Sequence, residues 1–424
     1  MMHTLQQLRC GQLAGAVRLQ LRGGLTDFPR EIFDLADTLE ILDLTGNALS
    51  SLPEDLPCLH RLRIIFCSEN QFTELPAVLG RCPSLTMIGF KANRIASVPA
   101  SALPPRLRWL ILTDNCIEKL PGEIGRCTEM QKLMLSGNQL SALPPELANC
   151  SKLELLRISA NRLPALPDWL TSMPRLTWLA FAGNPFSESA LPPVASIHWQ
   201  ELDIQHKLGE GASGIIHQAT LNGKPVAVKV FKGAMTSDGL PAQEMAACIG
   251  AGNHPNLIPV LGAIPDHPDR LPALVMQLMD PALRNLAGPP SFASCTRDVY
   301  AEGQQFTTGT LLGIARGIAS AAAHLHALGI MHGDLYAHNI LHCDKGSAVL
   351  GDFGGASRFA PGTESALALQ RLEVRAFGCL LEELLERCPE ELPAVQALAG
   401  DCLQPAPDVR PQFAEVVARL AAVA

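Results

Sequence analysis

A chain of 424 residues, 47% hydrophobic and 17% charged, has the composition of ordered globular protein and the length for two or three domains. Its net charge of −8 gives no basis for binding nucleic acid or an anionic membrane, and its most apolar stretch, Thr310 to Met331, is broken by Arg316 and two histidines. Residues Met1 to Gln20 lack the apolar core of a signal peptide, and 13 cysteines without paired ligand spacing read as reduced thiols in a cytoplasmic protein.

The first half repeats. The pattern L-x-x-L-x-L-x-x-N-x-L recurs with its asparagine at Asn47, Asn70, Asn93, Asn115, Asn138, Asn161 and Asn184, 23 residues apart with one step of 22. A degenerate copy precedes them at Leu19-Gln20-Leu21, and an apolar residue plus proline follows most of the asparagines, as in Leu75-Pro76 and Leu143-Pro144. This is the leucine-rich repeat signature, and it predicts a solenoid of about eight coils. One apolar row runs Leu42, Ile65, Ile88, Leu110, Leu133, Leu156 and Leu179. A second, two residues on, runs Leu44, Cys67, Phe90, Leu112, Leu135, Ile158 and Phe181. Period-two alternation puts both on the inner side of short strands, with each asparagine turning the chain and bonding backbone groups of neighbouring coils. Cys82, Cys127 and Cys150 share one repeat position and read as small core hydrophobes.

The outward-facing rows are unusually apolar, carrying Ile41, Ile64, Phe66, Met87, Trp109, Ile111, Met134 and Trp178. On a concave face that water reaches, such a population marks a surface for a protein substrate or regulator. The alternative is that the same face packs within the chain. Residues 186–203 then break the repeat with Leu191-Pro192-Pro193 and Trp199. So short a junction predicts halves that pack together, with Trp199 either at that contact or in the core of the second domain.

The second half opens with Gly209-Glu210-Gly211-Ala212-Ser213-Gly214-Ile215-Ile216. A lone G-x-G-x-x-G is weak, but here strand-like runs follow, joined by Asn222-Gly223, a strong hairpin signal. Val226, Val228 and Val230 alternate with Ala227 and Lys229, so Lys229 reaches the phosphate side of a glycine turn from the adjoining strand. A lysine buried there needs a carboxylate, and Glu244, on a helical run before Gly250 and Gly252, is better placed than Asp238. Further on, His332-Gly333-Asp334 and Asn339 lie in a short polar segment, and Asp352-Phe353-Gly354 comes 13 residues after Asn339. An acid, an amide and a second acid suit phosphoryl transfer: one carboxylate takes the attacking hydroxyl's proton, and the amide and other carboxylate hold a metal on the phosphates.

Gly209 to Phe413 resembles a eukaryotic-type protein kinase domain, and with the repeats the chain resembles leucine-rich-repeat kinases. The motifs fall in order: the glycine loop, Val226-Ala227-Val228-Lys229, Glu244, His254-Pro255-Asn256-Leu257, Leu274 to Met279 as hinge, the loop around Asp334, Asp352-Phe353-Gly354, and Arg410-Pro411-Gln412-Phe413. The resemblance implies an α/β solenoid plus an α+β bilobal kinase-like domain, divided as 1–190, a junction at 191–202, and 203–424. It implies ATP and Mg²⁺ as cofactors, with Asp334 as base, Asn339 and Asp352 on the metal, Lys229 on the phosphates and Glu244 holding Lys229. Gly209, Gly211 and Gly214 would cover the phosphates. Ile216, Ala227, Met276, Gln277 and Met279 would line the adenine side, and Cys248, His332 and Phe353 would belong to the regulatory spine.

The chain also departs from the family. Gly333 replaces the arginine before the catalytic aspartate, so a phosphate on the activation segment lacks its usual partner. Tyr336 and His338 stand where serine/threonine kinases carry lysine and tyrosine kinases arginine; His338 reads as an ordinary hydrogen-bonding histidine, with charge on the phosphoryl group as the alternative. The helix after the Asp352 segment is expected near Glu373, and Glu364 is the available acid for Arg410. His-Gly-Asp also occurs in small-molecule phosphotransferases, and a nucleotide-binding scaffold is a third reading. The filled set Lys229, Glu244, Asp334, Asn339 and Asp352 argues against loss of chemistry and so for an active protein kinase; serine/threonine over tyrosine follows from the family resemblance alone.

Overall fold

The computed structural model describes residues 3–187, 193–211, 213–232 and 235–423; Leu191 and Pro192 of the junction and Ala212 of the glycine loop lie outside them. The chain forms two compact units, Met1–Met173 with Asn184–Phe186, and Pro174–Gly183 with Ser187–Ala424.

A short helix, α1 (Leu5–Arg9), is closed at its start by a Thr4–Gln7 capping box. Three-residue strands follow at the repeat spacing: β1 (Arg18–Gln20), β2 (Ile41–Asp43), β3 (Ile64–Phe66), β4 (Met87–Gly89), β5 (Trp109–Ile111), β6 (Lys132–Met134), β7 (Leu155–Arg157) and β8 (Trp178–Ala180). They form one sheet in chain order, parallel wherever the register is described, and the degenerate first copy supplies β1. Both inward rows are buried throughout, which is the continuous core the alternation predicts. The asparagines turn each coil as expected. Asn138 Nδ2 donates to Leu112 O and Leu135 O, both at 2.9 Å, and its Oδ1 accepts from Ile117 N at 3.0 Å. Burial pushes the thiols of Cys82 and Cys127 up to about 11 and that of Cys150 up to about 12, in keeping with a packing role.

The outward rows face water only in part. Ile64, Met87, Met134, Leu155 and Trp178 are buried, whereas Ile41, Phe66, Trp109 and Ile111 remain half-buried. Part of the reason is contact between rungs. Phe66 occupies the space a side chain at Gly89 would take, its Cδ1 lying 2.5 Å from where a Cβ would stand. Trp109 Nε1 lies 3.3 Å from Met134 Sδ, and the Lys132 ammonium sits 4.5 Å from the Trp109 ring centre.

In the second unit, β9 (Leu202–Glu210), β10 (Gly214–Leu221), β11 (Lys224–Phe231), β12 (Val260–Ile264) and β13 (Ala273–Gln277) make an antiparallel sheet ordered β12-β13-β11-β10-β9. Asn222 and Gly223 turn the β10–β11 hairpin at φ of 51° and 75°, the left-handed pair such a tight turn needs. Val226, Val228 and Val230 enter a core with Ile197 and Leu202, and Trp199 packs on it with its ring edge-on to His267. Trp199 therefore belongs to the second unit's own core. Helix α2 (Pro241–Gly250) starts on proline at its first turn.

The remainder is mostly helical: α3 (Thr308–Ala327) packs on α6 (Phe413–Ala421), and α4 (Glu364–Leu385) on α5 (Pro393–Cys402). Between them run short strands β14 (Arg284–Asn285), β15 (Ile330–Met331), β16 (Ile340–His342), β17 (Ala348–Leu350) and β18 (Ser357–Arg358), paired as β14-β16-β17 and β15-β18. Helix α4 begins at Glu364, not near Glu373 as the family comparison led one to expect. Thr363 caps it by accepting from Ala366 N at 3.1 Å, and the run from Glu364 to Leu372 contains no breaker. The segment between Asp352 and the helix is thus shorter still. Among the described residues, no helix is long and apolar enough to cross a membrane.

Candidate active site

Strand register assembles the first side of the site. Gly209 pairs with Ile216, Ile216 with Lys229 and Lys229 with Leu274, while Ala227 pairs with Met276. One cross-strand row thus carries a glycine, an apolar wall and the lysine. Gly209 and Gly211 have open space where a Cβ would stand, but at Gly214 a Cβ would lie 2.6 Å from Val230 O. Two glycines leave room above the cleft, and the third lets the turn close on β11.

Lys229 Nζ and Glu244 Oε1 are in direct contact, with Glu244 on α2 almost wholly buried. Burial opposes the charge on Lys229, but the carboxylates of Glu244 and Asp352 outweigh it and hold the ammonium above its ordinary value. For Glu244 burial dominates and, with Asp352, pushes the carboxyl up against the pull of Lys229. The two shifts favour opposite protonation states. The direct contact and the second carboxylate beside Lys229 assign a charged pair.

The second side is the loop between β15 and β16. His332 Nε2 donates to Gly351 O at 3.0 Å and its Nδ1 accepts from Asp334 N at 3.3 Å; its ring lies 5.0 Å from that of Phe353. Glu373, buried on α4, accepts from His332 N at 3.1 Å and Gly333 N at 2.6 Å, and bonds His326 Nε2 at 2.7 Å. Burial would raise the Glu373 carboxyl, but His326, His332 and the Gly333 N–H hold it below its ordinary value. Sequence reasoning located Glu373 only as a helix start. The missed signal was a buried acid in an amphipathic helix, which needs donors.

Asn339 Nδ2 donates to Asp334 O and Asp334 Oδ2, both at 2.9 Å, which turns its Oδ1 into the amide's acceptor for another group. Gly351 N donates to Asn339 O at 2.9 Å, so the β16–β17 pair brings Asn339 alongside Asp352. Asp352 has φ of 54°, and its Oδ1 accepts from Gly354 N at 3.2 Å. These are hard oxygen donors of the kind Mg²⁺ takes. Among the described residues no group of three or more His, Cys, Asp or Glu could hold a metal by itself. The two oxygens of Asn339 and Asp352 fit a cation that takes its other ligands from water and phosphate.

Lys229, Glu244, Gly211, Gly214, Ile216, Met276 and Asp352 line one cavity. Ser213, Cys248, Ile258, Val260 and Gly351 line it too; of these the sequence reading had singled out only Cys248. Gly209, Ala227, Gln277, Met279, Asp334 and Asn339 are not among its lining residues. Ala227 is buried in the sheet beside Met276, and Gln277 is exposed beyond it.

The departures have physical causes. Gly333 has φ of 70°, and a Cβ there would lie 2.4 Å from Gly355 O and 2.6 Å from Leu179 O, so no side chain fits. Tyr336 stacks on Trp178 at 4.1 Å with 9° between planes, and lies 5.0 Å from His338. His338 donates from Nδ1 to buried Asp298 at 2.7 Å, the hydrogen-bonding role expected for it. Among the described residues Arg410 finds no acid; it donates to the carbonyls of Gln404, Arg371 and Pro174 at 2.8, 3.2 and 2.8 Å, and burial lowers it to about 10. Glu364 is exposed at the start of α4 and does not replace the missing glutamate, because Arg410 already has carbonyl partners.

Residues 202–373 match the family model of protein tyrosine and serine/threonine kinases, and residues 128–186 and 38–59 match leucine-rich repeat models. A probable serine/threonine-protein kinase of Dictyostelium discoideum is 30% identical over 183 residues, 40% of this chain and 10% of that protein. The serine/threonine-protein kinase mos of Gallus gallus is 29% identical over 189 residues, 41% of this chain and 53% of the relative, and that of Xenopus laevis 26% over 184 residues, 42% and 48%. The chain thus spans about half the length of the mos relatives and a tenth of the Dictyostelium protein. Among solved structures, a leucine-rich-repeat protein of Leptospira interrogans is 26% identical with a TM-score of 0.34, covering 41% of this chain and 51% of that one.

Proposed function

We propose that this chain, a leucine-rich-repeat array joined to a protein kinase domain, transfers the γ-phosphoryl group of ATP to a protein hydroxyl, preferentially serine or threonine. The observation that carries this reading is that Lys229, Glu244 and Asp352 line one cavity, while Asn339, bonded to Asp334, is tied through its carbonyl to Gly351, the neighbour of Asp352. Asp334 accepts the proton of the attacking hydroxyl as its oxygen bonds to the γ-phosphorus and the bridge to ADP breaks. Lys229, fixed by Glu244, contacts the α- and β-phosphates, and Gly209, Gly211 and Gly214 cover them with backbone. Ile216, Ala227, Met276, Gln277 and Met279 form the adenine side. Asn339 and Asp352 would hold Mg²⁺, which when bound supplies charge neutralisation on the phosphates. The half-buried Ile41, Phe66, Trp109 and Ile111 are the repeat positions we assign to partner recognition.

The short span from Asp352 to Thr363 favours one alternative, a small acceptor, because it leaves little platform for a protein. Transfer of labelled γ-phosphate from Mg-ATP, with a basic protein and a panel of amino alcohols as acceptors, decides between them. We expect protein labelling that vanishes in Asp334→Ala and Asp352→Ala. Labelling confined to the metabolites would replace the protein kinase reading, and full activity in either variant would refute the site.

A further inference from the structure

The loop that carries Asp334 is gripped from two directions. On one, Glu373 takes the backbone N–H groups of His332 and Gly333. On the other lies the segment Pro174–Gly183, which belongs to the same compact unit. Trp178, 2% exposed, stacks on Tyr336 and donates from Nε1 to Leu335 O at 3.0 Å. A few residues on, the N–H groups of Phe181 and Ala182 both donate to the buried Ser357 Oγ, at 2.8 and 3.1 Å. Ser357 in turn pairs with Met331, immediately before the loop, in the β15–β18 ladder. Arg410 anchors the start of the segment through Pro174 O.

We infer that Trp178 and Ser357 are positioning residues for the catalytic loop, holding Leu335–Tyr336 and Met331 on either side of Asp334. This rests on the phosphotransfer reading above. The chemistry favours it because the grip meets the loop through hydrogen-bonded backbone groups and an aligned ring pair, contacts with strict geometry. Displacing a proton acceptor by about 1 Å costs on the order of a hundredfold in rate.

The test compares the whole chain with Trp178→Ala, Trp178→Phe and Ser357→Ala, reading both phosphoryl transfer and amide hydrogen exchange across residues 332–339 without nucleotide. In Trp178→Ala kcat should fall about ten- to a hundredfold while KM for ATP stays within about twofold, and exchange in the loop should quicken. Trp178→Phe keeps a ring but loses the N–H donor and should fall in between; Ser357→Ala should act in the same direction. Unchanged exchange in these variants, or kcat equal to or above that of the wild type, overturns the inference. If Trp178→Ala does not fold, the other two variants decide. A wild-type chain that labels no acceptor would sink the kinase reading, and exchange alone would then settle whether the grip exists.

Discussion

The His338 imidazole is bonded to buried Asp298 and lies 5.0 Å from the ring of Tyr336. Burial works against its charge, but Asp298, Asp334 and Asp352 outweigh burial and place its pKa above the ordinary histidine value. A folded-state pKa raised in this way stabilises the protein fully below the unfolded value, and the contribution is lost as pH rises through the folded one. The urea midpoint of the wild type should therefore exceed that of His338→Gln at about pH 6, and the gap should narrow towards about pH 9. A gap that is flat across that range would mean that folding leaves the imidazole's affinity for its proton unchanged. Single residues also mark the limit of what could be read beforehand. The Lys229–Glu244 contact and the closeness of Asn339 to Asp334 were legible because the motifs that carry them are local. The reason for Gly333 was not, since the carbonyls that exclude a side chain come from Leu179 and Gly355, one of them far away in sequence.

At the scale of elements, the asparagine ladder shows how a weak local signal becomes strong by repetition. Each strand is only three residues long and no coil buries its inner face alone. The side chain of Asn138 satisfies three backbone groups, one in its own coil and two in the coil before it. Asn138→Ala should cost about 3 kcal/mol or more, because the unpaired groups stay buried. Chemical denaturation monitored by circular dichroism measures this, and a loss under about 1 kcal/mol would show that the coils relax to bond one another. Strand positions were readable from the period of the pattern. The start of α4 was not, because the cap is a single threonine and the family comparison pointed elsewhere. The burial of Met87, Met134 and Leu155 was likewise hidden, since alternation tells which side of a strand a residue takes and not what covers it.

For the molecule as a whole, motif boundaries and physical boundaries differ. The motifs begin near residue 203, but Ile197 and Trp199 contribute to the second unit's core, and Ile197 N donates to Ala263 O at 3.0 Å. Pro174–Gly183 belongs to that unit as well. A fragment of residues 203–424 should thus melt at least about 5 °C below one of residues 174–424, from the lost core, ring pair and hydrogen bonds. Equal melting temperatures in scanning calorimetry would show that these contacts are dispensable. The interleaving bears on inheritance too. The chain passes from the first unit into the second at Pro174, returns for Asn184–Phe186, and passes over again at Ser187. A recombination that brought a new catalytic half to these repeats would therefore need its breakpoint before Pro174, inside a coil. Joined at the apparent seam near residue 190, a transplanted half would arrive without Trp178, and its recipient would keep a tryptophan shaped for a tyrosine it no longer has. The last coil travels with the catalytic half.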